Sequence, residues 1–206
     1  MRGIGAAPLS IIIPTLNEAA SLGRTLANVR ALDPPALEVL VVDGGSCDAT
    51  RAIATAAGVA FISCESAGRA IQLNAGARQA RGSLLCFLHA DTLVPTDLVA
   101  IAERVLEDRA IAGAGFVSLM SGEDTTRWGI SALNLFKTHL APLLFRPHLY
   151  WRGLRLLFGD QVMICRRQTF WEVAGFNEAL PILEDGDLCL RLLKQGRIRL
   201  INRVVI

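Results

Sequence analysis

Four short apolar runs, each stopped by proline, glycine or a polar residue and three of them followed by a helical stretch, limit what this chain can fold into. They cover residues 9–13, 38–42, 59–62 and 84–88. Pro14 ends the first, and Asp43-Gly44-Gly45 ends the second. Runs that are continuously apolar, rather than alternating, mark strands covered on both faces. Between them, residues 18–29 carry a helical pattern with Asn17 set to cap it. Ser46 can cap a second helix, with Asp48 in its first turn and Gly58 at its end. A third helix over 69–80 closes at Gly82. Strands joined by single helices cross over in parallel. The expected fold is therefore α/β, with a mixed, mainly parallel sheet and helices on both faces.

In such sheets ligands sit beyond the carboxyl ends of the strands. Three strand ends draw attention: Pro14-Thr15, Asp43-Gly44 and His89-Ala90-Asp91. The second half is expected to hold a helix from Thr96 to 106, a strand over 111–120, a strand over 161–166, helices over 169–174 and 184–195, and a strand at 204–206. Composition narrows the function. At 52% hydrophobic and 19% charged residues the chain can bury a sizeable core, and a net charge of +2 gives no reason to expect nucleic acid as a partner. The five cysteines are odd in number and at least 17 positions apart, so they read as reduced, without metal-ligand spacing. Residues 1–8 lack the apolar stretch of a signal peptide, and no uninterrupted run reaches the ~18 apolar residues of a membrane span. A cytoplasmic protein is expected, attached at most to the inner face of a membrane.

Each chemically suggestive residue also has a plainer reading. Asp43 before two glycines could accept a hydrogen bond from a base ring, or simply open a loop. Asp91 could hold a hard divalent ion shared with phosphates, or begin the turn before Pro95. Arg69, behind Gly68 at a helix start, could meet phosphate or face solvent. Glu184 and Asp185 follow Pro181 at a helix start, where acids are favoured whether or not they catalyse.

Taken together and in order, Pro14-Thr15-Leu16-Asn17-Glu18, the stretch 41–50 (Val-Val-Asp-Gly-Gly-Ser-Cys-Asp-Ala-Thr), His89-Ala90-Asp91 and Glu184-Asp185 resemble family 2 glycosyltransferases of the GT-A, Rossmann-like nucleotide-diphospho-sugar transferase fold. Residues 68–77 and 158–161 are similar to a bacterial subgroup labelled "transferase 2, radical-SAM/selenodomain-associated". The resemblance runs from about 9 to 193. It implies a single domain, with a donor-binding half over 9–92 and an acceptor and base half over 93–206. It implies a nucleotide-sugar donor, UDP-linked, and a divalent metal, Mn²⁺ or Mg²⁺. Thr15, Glu18 and Asp43 would contact the nucleoside. Pro14, Gly44, Arg69, His89, Ala90, Asp91, Asp160 and Glu184 would complete the donor site. Asp91 would hold the metal, with His89 a second candidate, and Asp185 would be the catalytic base. The usual Asp-x-Asp reads His-x-Asp here. The Gln-x-x-Arg-Trp motif of processive members is absent, which favours single transfer.

Other readings stand beside this one. A sugar-phosphate nucleotidyltransferase would need a glycine-rich, arginine-bearing loop after the first strand. A dinucleotide-dependent dehydrogenase would need Gly-x-Gly-x-x-Gly after a strand. Neither occurs. His89 suggests a catalytically degenerate sugar-nucleotide-binding module. Residues 127–158 hold Arg127, Lys137, Arg146, Arg152 and Arg155, six aromatics and no acid. That mixture suits contact with a membrane interface or a lipid-linked acceptor, or else a pair of core-packed helices with basic outer faces.

Overall fold

The computed structural model describes residues 8–119, 128–158 and 161–206. Asp160 and Arg127 fall outside them. Seven strands form one sheet: β1 Leu9–Thr15, β2 Glu38–Asp43, β3 Ala60–Ser63, β4 Leu84–Phe87, β5 Ile111–Ser118, β6 Met163–Arg166 and β7 Arg197–Val205. Their order is β3-β2-β1-β4-β6-β5-β7. β1 pairs in parallel with β2 and β4, β2 with β3, and β5 with β7. β6 runs antiparallel to both of its neighbours, β4 and β5. Two reversals cancel, so β5 points the same way as β4, and all the parallel strands end at one edge.

Alternation within β1 divides the core between the two faces of the sheet. Leu9, Ile11 and Ile13 pack with Leu22 and Leu26 of α1 (Leu22–Arg30) and with Leu98 and Val99 of α4 (Leu98–Glu107). Ile12 faces the other way, towards Leu73 and Ala77 of α3 (Arg69–Gln79) and the layer containing Leu188 and Leu192 of α9 (Glu184–Leu192). The remaining helices are α2 (Thr50–Ala56), α5 (Trp128–Leu135), α6 (Ala141–Phe145), α7 (Pro147–Trp151) and α8 (Arg167–Glu172), with a π-helical turn at Phe136–Leu140 between α5 and α6.

The stretch 68–77 explains itself once α3 is seated. Gly76 lets the helix touch the sheet, since a Cβ there would lie 2.5 Å from Ile12 Cγ2 and 2.9 Å from Val42 Cγ2. Buried Gln72 donates to the carbonyls of Thr15 (2.7 Å) and Val42 (2.8 Å), bridging the ends of β1 and β2. Asn74, also buried, pairs with both the N–H and the C=O of Phe176. Overpacking a close contact costs about 1–3 kcal/mol. Gly76→Ala is therefore expected to lower the urea-unfolding free energy by that amount; an unchanged midpoint would mean that α3 shifts freely on the sheet.

Several element boundaries differ from expectation, each for a local reason. Asn17 does not cap α1, which starts at Leu22 after Ser21; Asn17 takes a left-handed conformation (φ 58°) instead. Ser46 does not cap α2, because its hydroxyl turns back to Asp43. α4 begins at Leu98 with Asp97, not Thr96, at the cap position. β7 begins at Arg197, well before the apolar 204–206. Its outward Arg197, Arg199 and Arg203 suit an edge strand, where charge discourages further pairing, and they mask the strand pattern.

Candidate active site

The parallel strand ends gather at one edge, as their directions require. Thr15 and Asp43 are register partners, and the Gly44 N–H donates to the Thr15 carbonyl at 2.9 Å. Beside them a cleft of about 410 Å³ is lined by Pro14, Thr15, Glu18, Arg69, His89, Ala90 and Asp91 among others. Asp43 lies just behind this lining, joined to it through Thr15.

The loops after β1 and β2 are fastened to each other by short polar side chains. The Asn17 N–H donates to Ser46 Oγ (2.8 Å) and the Cys47 N–H to Asn17 Oδ1 (2.9 Å). The Glu18 N–H donates to Thr50 Oγ1 (2.8 Å) and the Ala19 N–H to Asp48 Oδ2 (3.0 Å). Asp43 anchors the turn itself. Its Oδ1 accepts from the hydroxyls of Thr15 and Ser46, and its Oδ2 from the N–H groups of Gly45 (3.0 Å) and Ser46 (2.8 Å). A carboxylate offers about four acceptor positions, so protein donors take all of them. Burial pushes this carboxyl up, but the Ser46, Gly45 and Thr15 hydrogen bonds outweigh it and hold the pKa below the ordinary value. The group closest to Gly44 is the Gln72 carboxamide, about 3.1 Å from where a Cβ would stand. Gly45 requires glycine for a different reason, its φ of 98°.

Two groups at the cleft keep unused capacity. Asp91 is exposed, and its carboxylate takes one long contact (3.4 Å) from the Thr92 hydroxyl. His89 is partly buried, yet its Nε2 is enclosed without a hydrogen-bond partner. Burial first, then the Arg69 charge, lower its pKa to about 4 against the opposing pull of Asp91, so the imidazole is neutral near pH 7. Among the described residues no cluster of three or more His, Cys, Asp or Glu is placed to hold a metal alone.

Arg69 joins the cleft to the far half of the chain. Its Nη2 donates to Asp185 Oδ2 at 3.1 Å, and its Nε lies 3.3 Å from Glu184 Oε1, misaligned for a hydrogen bond. Both carboxylates are buried in the first turn of α9, where the helix dipole favours them. Leu183, just before them, takes the left-handed region (φ 65°), a strained conformation for leucine that aims the helix start at Arg69. Of the candidates read from sequence, Pro14, Thr15, Glu18, Arg69, His89, Ala90 and Asp91 line the cleft. Asp43 and Gly44 stand behind it at the end of β2, Glu184 and Asp185 reach it through Arg69, and Asp160 lies outside the described residues. The supporting roles of Gln72, Asn74, Ser46 and Leu183 were not legible; the first three carried polarity without any sign of its partner, and Leu183 carried no signal.

A family model described as "Glycosyl transferase family 2" matches residues 10–173. An "Uncharacterized glycosyltransferase" of Rickettsia felis is 27% identical over 96% of this chain and 33% of its own length. A "PGL/p-HBAD biosynthesis glycosyltransferase" of Mycobacterium bovis is 29% identical over 90% of this chain and 70% of its own. Among solved structures, the mannosyltransferase PcManGT of Pyrobaculum calidifontis, in complex with GDP-Man and Mn²⁺, superposes with a TM-score of 0.75 at 22% identity, covering 98% of this chain and 57% of that one. The chain thus spans a third to about two thirds of the length of these relatives, and its sheet and helices are those of the GT-A fold.

Proposed function

The chain belongs to glycosyl transferase family 2, and on that premise we propose that it moves a sugar from a UDP-linked donor to an acceptor hydroxyl in a single, inverting, non-processive transfer. The observation that carries this reading is Arg69, which lines the cleft while pairing with the buried Glu184 and Asp185. In this reading residues 9–92 hold the donor, and 93–206 supply the acceptor side and the base. Pro14, Thr15, Glu18, Asp43 and Gly44 face the nucleoside. With its four positions filled, Asp43 meets a base N–H only by releasing one of its donors, of which the Thr15 hydroxyl is held at the longest distance, 3.1 Å. Arg69, at the start of α3, meets the diphosphate with its fork of donors and the positive helix end. His89, Ala90, Glu184 and Asp160 complete the donor surroundings.

The residues present fit a hard divalent ion. Mg²⁺ and its like commonly take one or two protein carboxylates and draw their other ligands from phosphate and water, and Asp91 presents one exposed carboxylate at the cleft. Asp91 would hold Mn²⁺ or Mg²⁺, with His89 beside it; PcManGT was solved with Mn²⁺. Such an ion, when bound, supplies positive charge to the departing phosphate. Asp185 accepts the proton of the acceptor hydroxyl as that oxygen attacks the anomeric carbon. The bond from that carbon to the diphosphate oxygen breaks on the opposite face, and the nucleoside diphosphate leaves with the electron pair. Arg69 counters the charge that develops there, which requires it to loosen its hold on Asp185. A lipid-linked acceptor would place the protein at the inner face of the membrane, which no helix among the described residues is long and apolar enough to cross.

A second reading, a sugar-nucleotide-binding module without turnover, draws on the imidazole of His89 standing where a second carboxylate would strengthen a metal site. A panel of UDP-, GDP- and other nucleotide sugars, read by thermal shift with and without Mn²⁺, separates the two. A ligand at ~100 times its Kd adds about 2.7 kcal/mol, or roughly 5–10 °C for a chain of this size. The expected result is such a shift for UDP-sugars with Mn²⁺ alone, accompanied by slow donor hydrolysis. A shift without any donor consumption favours the binding module; no shift with any donor defeats both.

A further inference from the structure

The arm formed by α5, the π-helical turn, α6 and α7 turns most of its large apolar side chains outward, while Leu149 packs on the core. Ser131, Thr138 and Pro142 turn inward and are buried, while Trp128 (69% exposed), Phe145 (80%) and Trp151 (79%) stand outward with Leu133, Phe136 and Leu144. A surface helix ordinarily does the reverse, and large exposed apolar patches mark interaction sites. The arm is fixed at the edge that carries the cleft. Ser118 ends β5 there, and Asn134 Nδ2 donates to its Oγ (3.4 Å). Thr138 Oγ1 donates to Gln161 Oε1 (3.1 Å), which also accepts from the Phe158 N–H (2.9 Å).

Charge decides what such a face meets. From 128 to 158 there is no Asp or Glu, but there are Lys137, Arg146, Arg152 and Arg155, whereas the whole chain is only +2, so the remainder is net acidic. Lys137, Arg146 and Arg152 are exposed, and the Arg155 guanidinium stacks on Tyr150 at 4.0 Å. A second copy of this chain, docked about a two-fold axis, would bring the same cations against each other. We propose that this face docks on an anionic lipid bilayer, with Trp128, Phe145 and Trp151 entering the headgroup–acyl boundary and the arginines meeting lipid phosphates. Docking this way holds the cleft edge of the sheet at the membrane surface. The further consequence, that the acceptor hydroxyl is presented from the bilayer, rests on the transferase reading; the docking does not.

Co-sedimentation with phosphatidylcholine vesicles, with and without phosphatidylglycerol, tests it. The unmodified protein is expected to sediment with the anionic vesicles, and to be released from them by 1 M salt. Arg146→Ala with Arg152→Ala should weaken partitioning about 25-fold, at about fivefold per cation. Trp128→Ser, Phe145→Ser and Trp151→Ser together should weaken it at least about tenfold without altering the melting curve, since all three side chains are exposed. Equal uptake by neutral vesicles, or no uptake by anionic ones, overturns the proposal. So does a dimer in sedimentation velocity that the triple variant abolishes while vesicles capture nothing. Thermal shift with UDP and Mn²⁺ in lipid-free buffer reads the donor site separately, so failure of docking and failure of the transferase reading give different results.

Discussion

Asp185→Asn is expected to cut sugar transfer by about 10²–10⁴-fold, the usual contribution of a positioned general base, while leaving donor affinity within about twofold. The substitution keeps the shape of the side chain and removes its ability to take a proton. Burial makes the expectation sharp. Asp185 is 7% exposed at the first turn of α9, and its partner across 116 residues is Arg69, which Glu184 also approaches. With Asn at 185, Arg69 keeps Glu184 and its place in the cleft, so nucleotide binding should survive. Donor binding by calorimetry and single-turnover transfer, run on the same preparation, check the two halves. Transfer near the unmodified rate would remove Asp185 from the reaction and turn the search to Glu184 and Asp160. Loss of binding together with transfer would mean that the Arg69–Asp185 pair holds the cleft open, a structural role.

The second large effect is expected at Asp91. Asp91→Asn should abolish the metal-dependent part of UDP binding, a loss of about 100-fold or more, whereas His89→Ala should weaken it by less than about tenfold. A carboxylate is the natural protein ligand for Mg²⁺ or Mn²⁺, and imidazole suits softer ions. Asp91 also presents an exposed carboxylate at the cleft that takes only the long Thr92 contact. Asp43, by contrast, has filled all four acceptor positions, Glu18 accepts from the Ser21 hydroxyl, Asp48 accepts from Ala19 and Thr50, and Glu184 and Asp185 are buried against Arg69. Titrating UDP in Mn²⁺ and then in chelator, for both variants, checks the ranking. Unchanged Mn²⁺-dependent affinity in Asp91→Asn would remove its metal role. A larger loss in His89→Ala than in Asp91→Asn would move that role to the imidazole, whose Nε2 is enclosed without a partner.

The apolar runs at β1, β2 and β4 and the crossovers between them were legible because burial on both faces leaves a continuous hydrophobic signature that needs no partner to be read. The same logic located the edge where Thr15, Asp43, His89 and Asp91 meet, since parallel strands must share a carboxyl end. Polar partnerships were not legible. Asn17 and Ser46 look like helix caps by local chemistry, but the chain uses them to fasten two loops nearly 30 residues apart, and a cap and a cross-loop hydrogen bond draw on the same short side chains. Likewise β7 hides its strand pattern behind edge arginines, and nothing near Arg69 in the chain announces Glu184 and Asp185. Residues 128–151 were readable as basic and aromatic, not as a face, because contacts with Ser118 and Gln161 decide which side of α5 and the π-helical turn faces inward. Apolar periodicity is a property of the chain itself, so the sequence alone determined the buried strands β1, β2 and β4 and the edge at which they end. Which donor meets which acceptor depends on sheet order and register, and those exist only once the chain has folded.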